Sequence, residues 1–360
     1  MLRLGRYRVK IRRRLVPPPL ALITIRVLAV LVALGIDGLI LYFNGVNPVK
    51  AYNIIFKRVL LSWYGLAETI VKFIPLALCA YGLAIVFKAK IWNIGAEGQL
   101  LMGAIAATWV ALFSPIPPGP YTIPLLYLAG FVAGLLWALL PAILKAKLNV
   151  NEVLTTFMLN MVAEKILEYL VYGPWKDPRG WGFPKTAPFP AEARLPTIPG
   201  TRIHYPTLIL LFSIIILTYV LEKKTTIGYE LKVVGDNPRA AEYSGIKIWK
   251  IILISMVLSG GLAGLAGVGE VAGIQGRLRP KISPGYGYTA IVVAWLGELH
   301  PIGVGVTSFL YSALLVGGDV LQVVFSIPVA VVNVFNGTIL FTVVGLDLLA
   351  KYRIILERVD

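Results

Sequence analysis

Very little in this sequence can do covalent chemistry. Cysteine occurs once, at Cys79 inside an apolar run, so within one chain no disulfide, thiolate zinc site or redox pair can form. The two histidines, His204 and His300, lie far apart and lack metal-ligand spacing. No G-x-x-x-x-G-K-[ST] stretch is present to cradle a nucleotide phosphate, and no paired aspartates offer a site for a magnesium-bound diphosphate. No catalytic residue, metal or cofactor is therefore expected, and the chain is not read as an enzyme. Charge is scarce as well. Only 14% of the 360 residues are charged, against roughly 25% in soluble domains.

What fills the chain is hydrocarbon. It is 58% hydrophobic, with a mean hydropathy of +0.79, which marks an integral membrane protein. The net charge of +16 sits between apolar runs, where cytoplasmic loops collect Lys and Arg. No basic face with interleaved aromatics suggests nucleic acid. Apolar runs long enough to approach a membrane crossing fall near 20–43, 66–88, 96–114, 121–144, 153–172, 206–221, 250–273, 286–299, 302–324 and 328–349. About ten spans put both termini on one side. The segments then assigned inside hold 20 Lys and Arg against 11 outside, which favours cytoplasmic termini. The expected organisation is a basic cytoplasmic segment 1–19, one transmembrane domain 20–350 and a cytoplasmic tail 351–360. An external loop at 173–205, rich in Pro, Gly and Trp, and one sizeable internal loop at 222–250 complete it.

The stretch "KAKIWNIGAEGQLLMGAIAATWVALF" places Asn93, Glu97 and Gln99 at the start of a span, cut by Gly95 and Gly98. Ionisable groups at membrane depth cost several kcal/mol unless they face protein or water. Gly-interrupted segments point to a translocation path, but a carboxylate that braces a helix start fits equally well. The second half repeats the theme, with Gly285 and Gly287 ahead of an apolar run in "SPGYGYTAIVVAWLGELHPIG". The run "SGGLAGLAGVGEVAG", Ser259 to Gly273, demands close helix packing. Elsewhere Glu68 and Lys72 read as an i,i+4 pair, and Glu164, Lys165 and Glu168 sit late on the fifth span.

Within the internal loop, "TIGYELKVVGDNPRAAEYSGIKIWK" reads as a short break followed by a capped helix. Asp236 or Asn237 caps it, Pro238 takes the first helical position and Gly245 ends it. Such a helix either lies unpartnered on the interface or docks a soluble protein.

"IWNIGAEGQLLMGA" and "IGYELKVVGDNPRAAEYSGI" together resemble the membrane permease subunits of bacterial ABC importers, in the branched-chain amino acid/ribose/nucleoside group. The "NIGAEGQ" form is similar to the nucleoside type that works with a substrate-binding lipoprotein, and "GYGYTAIVVAWLGELHPIG" resembles the group's late glycine motif around Gly285 and Gly287. The likeness spans about 60–345. It implies an all-α integral membrane protein, a polytopic helical bundle with a cytoplasmic coupling helix. It implies a multi-pass location in a prokaryotic cell membrane, surrounded by lipid. Its implied partners are cytoplasmic ATP-binding-cassette ATPase subunits, a second permease chain (a paralogue or a second copy) and the lipoprotein, with no nucleic acid. Gly235, Asp236, Asn237, Pro238, Arg239, Ala240 and Glu242 would meet the ATPase. Asn93, Gly95, Glu97, Gly98 and Gln99 would line the path or brace its broken helix. A nucleoside is the implied cargo, with a sugar or an amino acid as the alternative. The rival from another class is an ion-coupled transporter working alone through Glu97, Glu164 or Glu270.

Overall fold

A computed structural model describes residues 2–4, 7–13 and 19–358. Residues 1, 5–6 and 14–18 of the expected basic segment, and 359–360 of the expected tail, lie outside that description. The chain divides at residues 62/63 and 313/314 into a terminal unit and a middle unit.

In the terminal unit, β1 (Leu2–Leu4), β2 (Tyr7–Arg13) and, from the other end of the chain, the strand Tyr352–Arg358 form an antiparallel sheet, with Tyr7 opposite Arg358 and Arg13 opposite Tyr352. The two ends of the chain therefore lie on one side. Their alternating "YRVKIRR" pattern has the period of a strand; the composition-based reading took it only as a charged anchor. Helix α1 (Pro19–Phe43) is followed by α2 (Pro48–Ile55), which continues as a π-helical turn, Phe56–Leu60. The stretch between the first two apolar runs, 44–65, is thus partly helical. Gly45 at φ +75° turns the chain. Asn47 then caps α2 by accepting the Lys50 N–H, and Pro48 starts the helix. The resulting bend between Leu28–Phe43 and Pro48–Leu60 is 118°. Leu41, Val46, Ala51, Leu321, Ile327, Val332 and Phe335 pack as the core of this unit.

The middle unit contains α3 (Trp63–Lys88), α4 (Ala96–Phe113), α5 (Thr122–Leu148), α6 (Glu152–Tyr172), α7 (Tyr205–Lys224), α8 (Thr226–Asp236) and α9 (Pro238–Tyr243). It continues with α10 (Ile248–Val268), extended by a π-helix at Gly269–Gln275, and α11 (Tyr286–Leu296). The first part of α12 (Pro301–Phe325) closes the middle unit; the rest of α12, α13 (Val329–Lys351) and β3, the strand Tyr352–Arg358, belong to the terminal unit. Among the described residues, six helices are long and apolar enough to cross a membrane, or seven if the bent pair α1–α2 counts as one span. The chain is a multi-pass helical membrane protein. The run expected at 286–299 is only the 11 residues of α11, about 16 Å of helix against a hydrocarbon core of about 30 Å. It ends at Gly297, followed by left-handed Glu298 and Leu299.

Helices α3 and α10 are buried along most of their length, whereas α5 and α7 display Leu128, Leu136, Leu140, Ile209, Phe212 and Ile216 outward. An outward row of this kind suits lipid rather than water. The glycine-rich stretch of α10 packs as its composition requires. A Cβ at Gly264 would overlap the carbonyl oxygen of Gly130 on α5, and one at Gly134 would overlap that of Gly260, so the two backbones touch. Between α6 and α7 the loop is ordered: Phe189 N–H donates to Gly276 O (2.8 Å), and Leu195 N–H donates to Ala272 O (3.0 Å).

Candidate functional site

After α3 the chain runs without regular structure from Ile91 to Ile94 before α4 begins. Backbone at this depth needs partners that water does not supply. The Asn93 side chain accepts the Gly95 N–H (2.9 Å) and the Gln99 amide (3.2 Å), and donates to Gln99 Oε1 (3.1 Å) and Ser259 Oγ on α10 (3.0 Å). Helix α6 supplies the rest. Thr156 Oγ1 accepts the Ile94 N–H (3.1 Å). Asn160 accepts the Gly98 N–H (2.8 Å) and donates to Ile94 O (2.8 Å). Glu152 accepts the Trp92 N–H (3.4 Å) and pairs with Lys145 (3.0 Å). Asn93, buried, thus has its donors and its acceptor engaged by Gly95, Gln99 and Ser259 of α10, and buried Gln99 is held by Asn93, which is the geometry of a brace.

Glu97 reaches the other glycine motif. Its Oε2 accepts the Gly287 N–H (2.8 Å), a contact between residues 190 apart in the chain. A Cβ at Gly287 would overlap the Glu97 backbone, so only glycine lets the start of α11 come this close. Ser283 Oγ accepts the Gly285 and Tyr286 N–H groups (3.1 Å each), and Gly285 itself sits at φ +95°. One carboxylate therefore stands at the N-termini of both α4 and α11, where free N–H groups and helix dipoles favour negative charge. This explains an acid at the head of a membrane helix. It also joins two motifs that the sequence presents only as look-alikes.

Beside this seam, Phe87, Trp92 and Trp295 form a trio of rings with centroids 5.3–5.8 Å apart, Trp92 and Trp295 being stacked and partly exposed. Glu270 is buried in the π-helix, and its neighbour Gln275 donates to Ile282 O (2.9 Å). Glu68, read from the sequence as the i,i+4 neighbour of Lys72, receives a two-pronged guanidinium from Arg202, 134 residues away. Lys165 pairs with Glu168 at 2.7 Å on the surface. His204, which precedes α7, is fully buried with both ring nitrogens unpartnered among the described residues. Burial pushes its pKa down to about 4.

The internal loop has the expected capped helix and one more. Asn237 Oδ1 accepts the Ala240 N–H (3.2 Å), Pro238 is the first residue of α9, and Gly245 at φ +79° follows it. Asp236, Arg239, Glu242 and Tyr243 are exposed. Ahead of it, the expected short break is the three-turn helix α8, capped by Thr225 through the Gly228 N–H (3.2 Å). Gly235 near the end of α8 is buried, and a Cβ there would overlap the Lys88 carbonyl oxygen. Lys88 also forms an ion pair with Glu222 at the end of α7. The loop therefore rests on the last residue of α3, immediately before the broken segment.

The α6 residues Glu152, Thr156 and Asn160 escaped notice in the sequence. Their signal is a polar side chain at every fourth position of a membrane helix.

Residues 65–344 match the family described as branched-chain amino acid transport system / permease component. A glucose ABC transporter permease of Haloferax volcanii is 38% identical over 95% of this chain and 92% of its own. A guanosine ABC transporter permease of Bacillus subtilis is 31% identical, covering 88% and 91%. A nucleoside ABC transporter permease of Lactococcus lactis is 30% identical, covering 89% and 90%. No solved structure matches the chain.

Proposed function

The chain belongs to the family of branched-chain amino acid transport system permease components, and from that premise we propose that it carries a neutral, hydroxyl-rich solute, a nucleoside first, into the cell. It is the permease subunit of an ABC importer and not itself an enzyme; such permeases work with ATPase and substrate-binding partners. In our reading α9 sits in a groove of a cytoplasmic ATPase, both termini are cytoplasmic, and a second permease chain completes the pore. The binding partner is a lipoprotein on the outer side of a prokaryotic membrane.

The observation that supports this reading most is the seat of Gly235 on the Lys88 carbonyl. The C-terminal end of α8 carries the exposed, well-capped helix α9, and that same end sits against the residue that leads into the broken segment. Movement of α9 by a partner would press directly on the residues that lead to Glu97 and its contact with Gly287. The stacked Trp92 and Trp295 rings favour a flat base as part of the cargo. A sugar is the second reading, favoured by the 38% identity to a glucose permease. Guanosine and glucose share neighbouring hydroxyls, so both fall in one chemical class.

The test is uptake by the complete importer in vesicles, offered guanosine and glucose. Uptake that vanadate abolishes and a protonophore spares supports the ATPase-driven machine. The reverse pattern replaces it with an ion-coupled transporter. Competition between the two solutes decides which one is carried.

A further inference from the structure

Helix α6 carries a polar residue at five successive fourth positions: Glu152, Thr156, Asn160, Glu164 and Glu168. Residues spaced by four form a continuous stripe that drifts about 40° per step, about 160° from Glu152 to Glu168. The first three hold the broken segment. Glu164 and Glu168 continue the stripe beyond that segment's backbone; Glu168 is held by Lys165 at 2.7 Å, which leaves Glu164 as the acid to account for, and an ionisable group on a membrane helix is a functional feature by default.

Both acids line an open-mouthed cavity of about 200 Å³. Glu97 and Asn160 form its deep wall, and Lys281, Ser283 and Tyr288 form the side opposite α6. The Tyr288 hydroxyl is fixed by the Asn160 amide at 3.2 Å, and Asn160 is itself locked to Gly98 and Ile94. The wall is therefore rigid on the side that meets the seam and adjustable where Glu164 and Lys281 project, both exposed.

The mixture of groups selects the occupant. A metal ion would meet the Lys281 ammonium, and among the described residues no three acids, cysteines or histidines converge to hold one. An anion would meet the carboxylates. A neutral polyol opposes neither: its hydroxyls donate to Glu164 and accept from Lys281 and Tyr288, each a charge-assisted or well-fixed bond. The volume accommodates about six water molecules' worth of liquid, a size suited to one sugar ring rather than a whole nucleoside. We infer that this cavity is a station on the translocation path that holds the sugar ring of the solute by its hydroxyls. The inference rests on the hydroxyl-rich cargo proposed above and adds the place and the residues that recognise it.

The experiment uses the complete importer in liposomes. It compares uptake of guanosine with 2′-deoxyguanosine and 3′-deoxyguanosine, and of glucose with 2-deoxyglucose, in the wild type, Glu164→Gln and Tyr288→Phe. Solute affinity of the isolated binding protein is measured separately and divided out. The wild type should favour the fully hydroxylated solute by about tenfold for at least one of these pairs, because a site built for a hydroxyl rejects the analogue without it. In Glu164→Gln that preference should collapse towards unity, with the deoxy solute moving at its former rate. Should Glu164→Gln fail to assemble with the ATPase, the Lys281→Met variant, likewise at an exposed position, carries the same expectation. An unchanged preference in assembled variants that still transport overturns the station and leaves the importer intact. A wild type that moves neither solute family overturns the cargo reading, and the station with it.

Discussion

Glycine serves the middle unit in two opposite ways. Between α5 and α10 it brings two apolar backbones into contact, Gly130 and Gly134 against Gly260 and Gly264, with small residues and shape supplying the adhesion. Between α4 and α11 it brings two helix beginnings together at Glu97 and Gly287, and there the adhesion is a carboxylate, a set of amides and the free N–H groups. At these four glycines the first interface has no side chain to move. The second is made of groups whose partners can be exchanged. A rigid seam set beside a polar one is the physical arrangement expected where one part of a membrane bundle must hold still while another rearranges.

Substitutions should separate the two interfaces. Gly264→Leu leaves the side chain nowhere to go but into the Gly130 carbonyl; overpacking costs about 1–3 kcal/mol or more, and against backbone the larger end applies. Loss of monodisperse protein on extraction is expected, and a normal yield with an unchanged melting temperature would break the comparison. Asn160→Ala strips the bonds to Gly98, Ile94 and Tyr288 and leaves buried backbone groups unsatisfied, at about 1–3 kcal/mol each in the worst case. It should lower the melting temperature by several degrees and abolish uptake. Glu97→Gln keeps the shape but gives up charge at two helix N-termini, for about 0.3–2 kcal/mol. Transport should slow clearly while the fold survives, and a wild-type rate would assign Glu97 to packing alone.

The smallest effect on the bundle belongs to α9. Arg239→Ala combined with Asp236→Ala should leave the melting temperature within the ordinary range for surface changes, about 0.5 kcal/mol either way, yet reduce recovery of the ATPase on co-purification. Undiminished recovery would remove α9 as the docking element.

Acid offers a probe remote from the seam. His204 is held neutral, with a pKa of about 4 against about 6.5 in an unfolded chain. The unfolded chain takes up the proton first. Stability from the neutral ring is therefore full above pH 6.5 and declines as the pH falls towards 4, by about 3 kcal/mol in all. Replacement by Phe should flatten the melting temperature over that window. Equal slopes in both proteins would refute the assignment.

How much of this was readable beforehand follows from how local each interaction is. The proline at 238 and the turn at Gly245 involve neighbours in sequence and the spacing alone located them; it narrowed the cap to Asp236 or Asn237, of which the structure uses Asn237. The close packing of Ser259–Gly273 was legible from composition, though not its partner α5. Long-range pairing was not legible: nothing near Glu68 announces Arg202, and nothing near Glu97 announces Gly287. Lys72, four residues on, was the plausible local partner for Glu68, and Arg202 arrives only through the folded loop. The run read at 286–299 overran α11 by three residues, Gly297 to Leu299, because composition does not show that Glu298 and Leu299 are left-handed and end the helix. The fourfold polar stripe on α6 was visible in principle. Its meaning depended on the broken segment lying against it.

The central claim is that force enters through the internal loop at Gly235 and leaves through the broken helix. Gly235→Ala places a methyl group against the Lys88 carbonyl and should disturb that junction while α9 still meets its ATPase. In the reconstituted importer, solute moved per ATP hydrolysed is the direct readout. We expect hydrolysis to continue and the ratio to fall several-fold; a ratio equal to that of the wild type would contradict the claim.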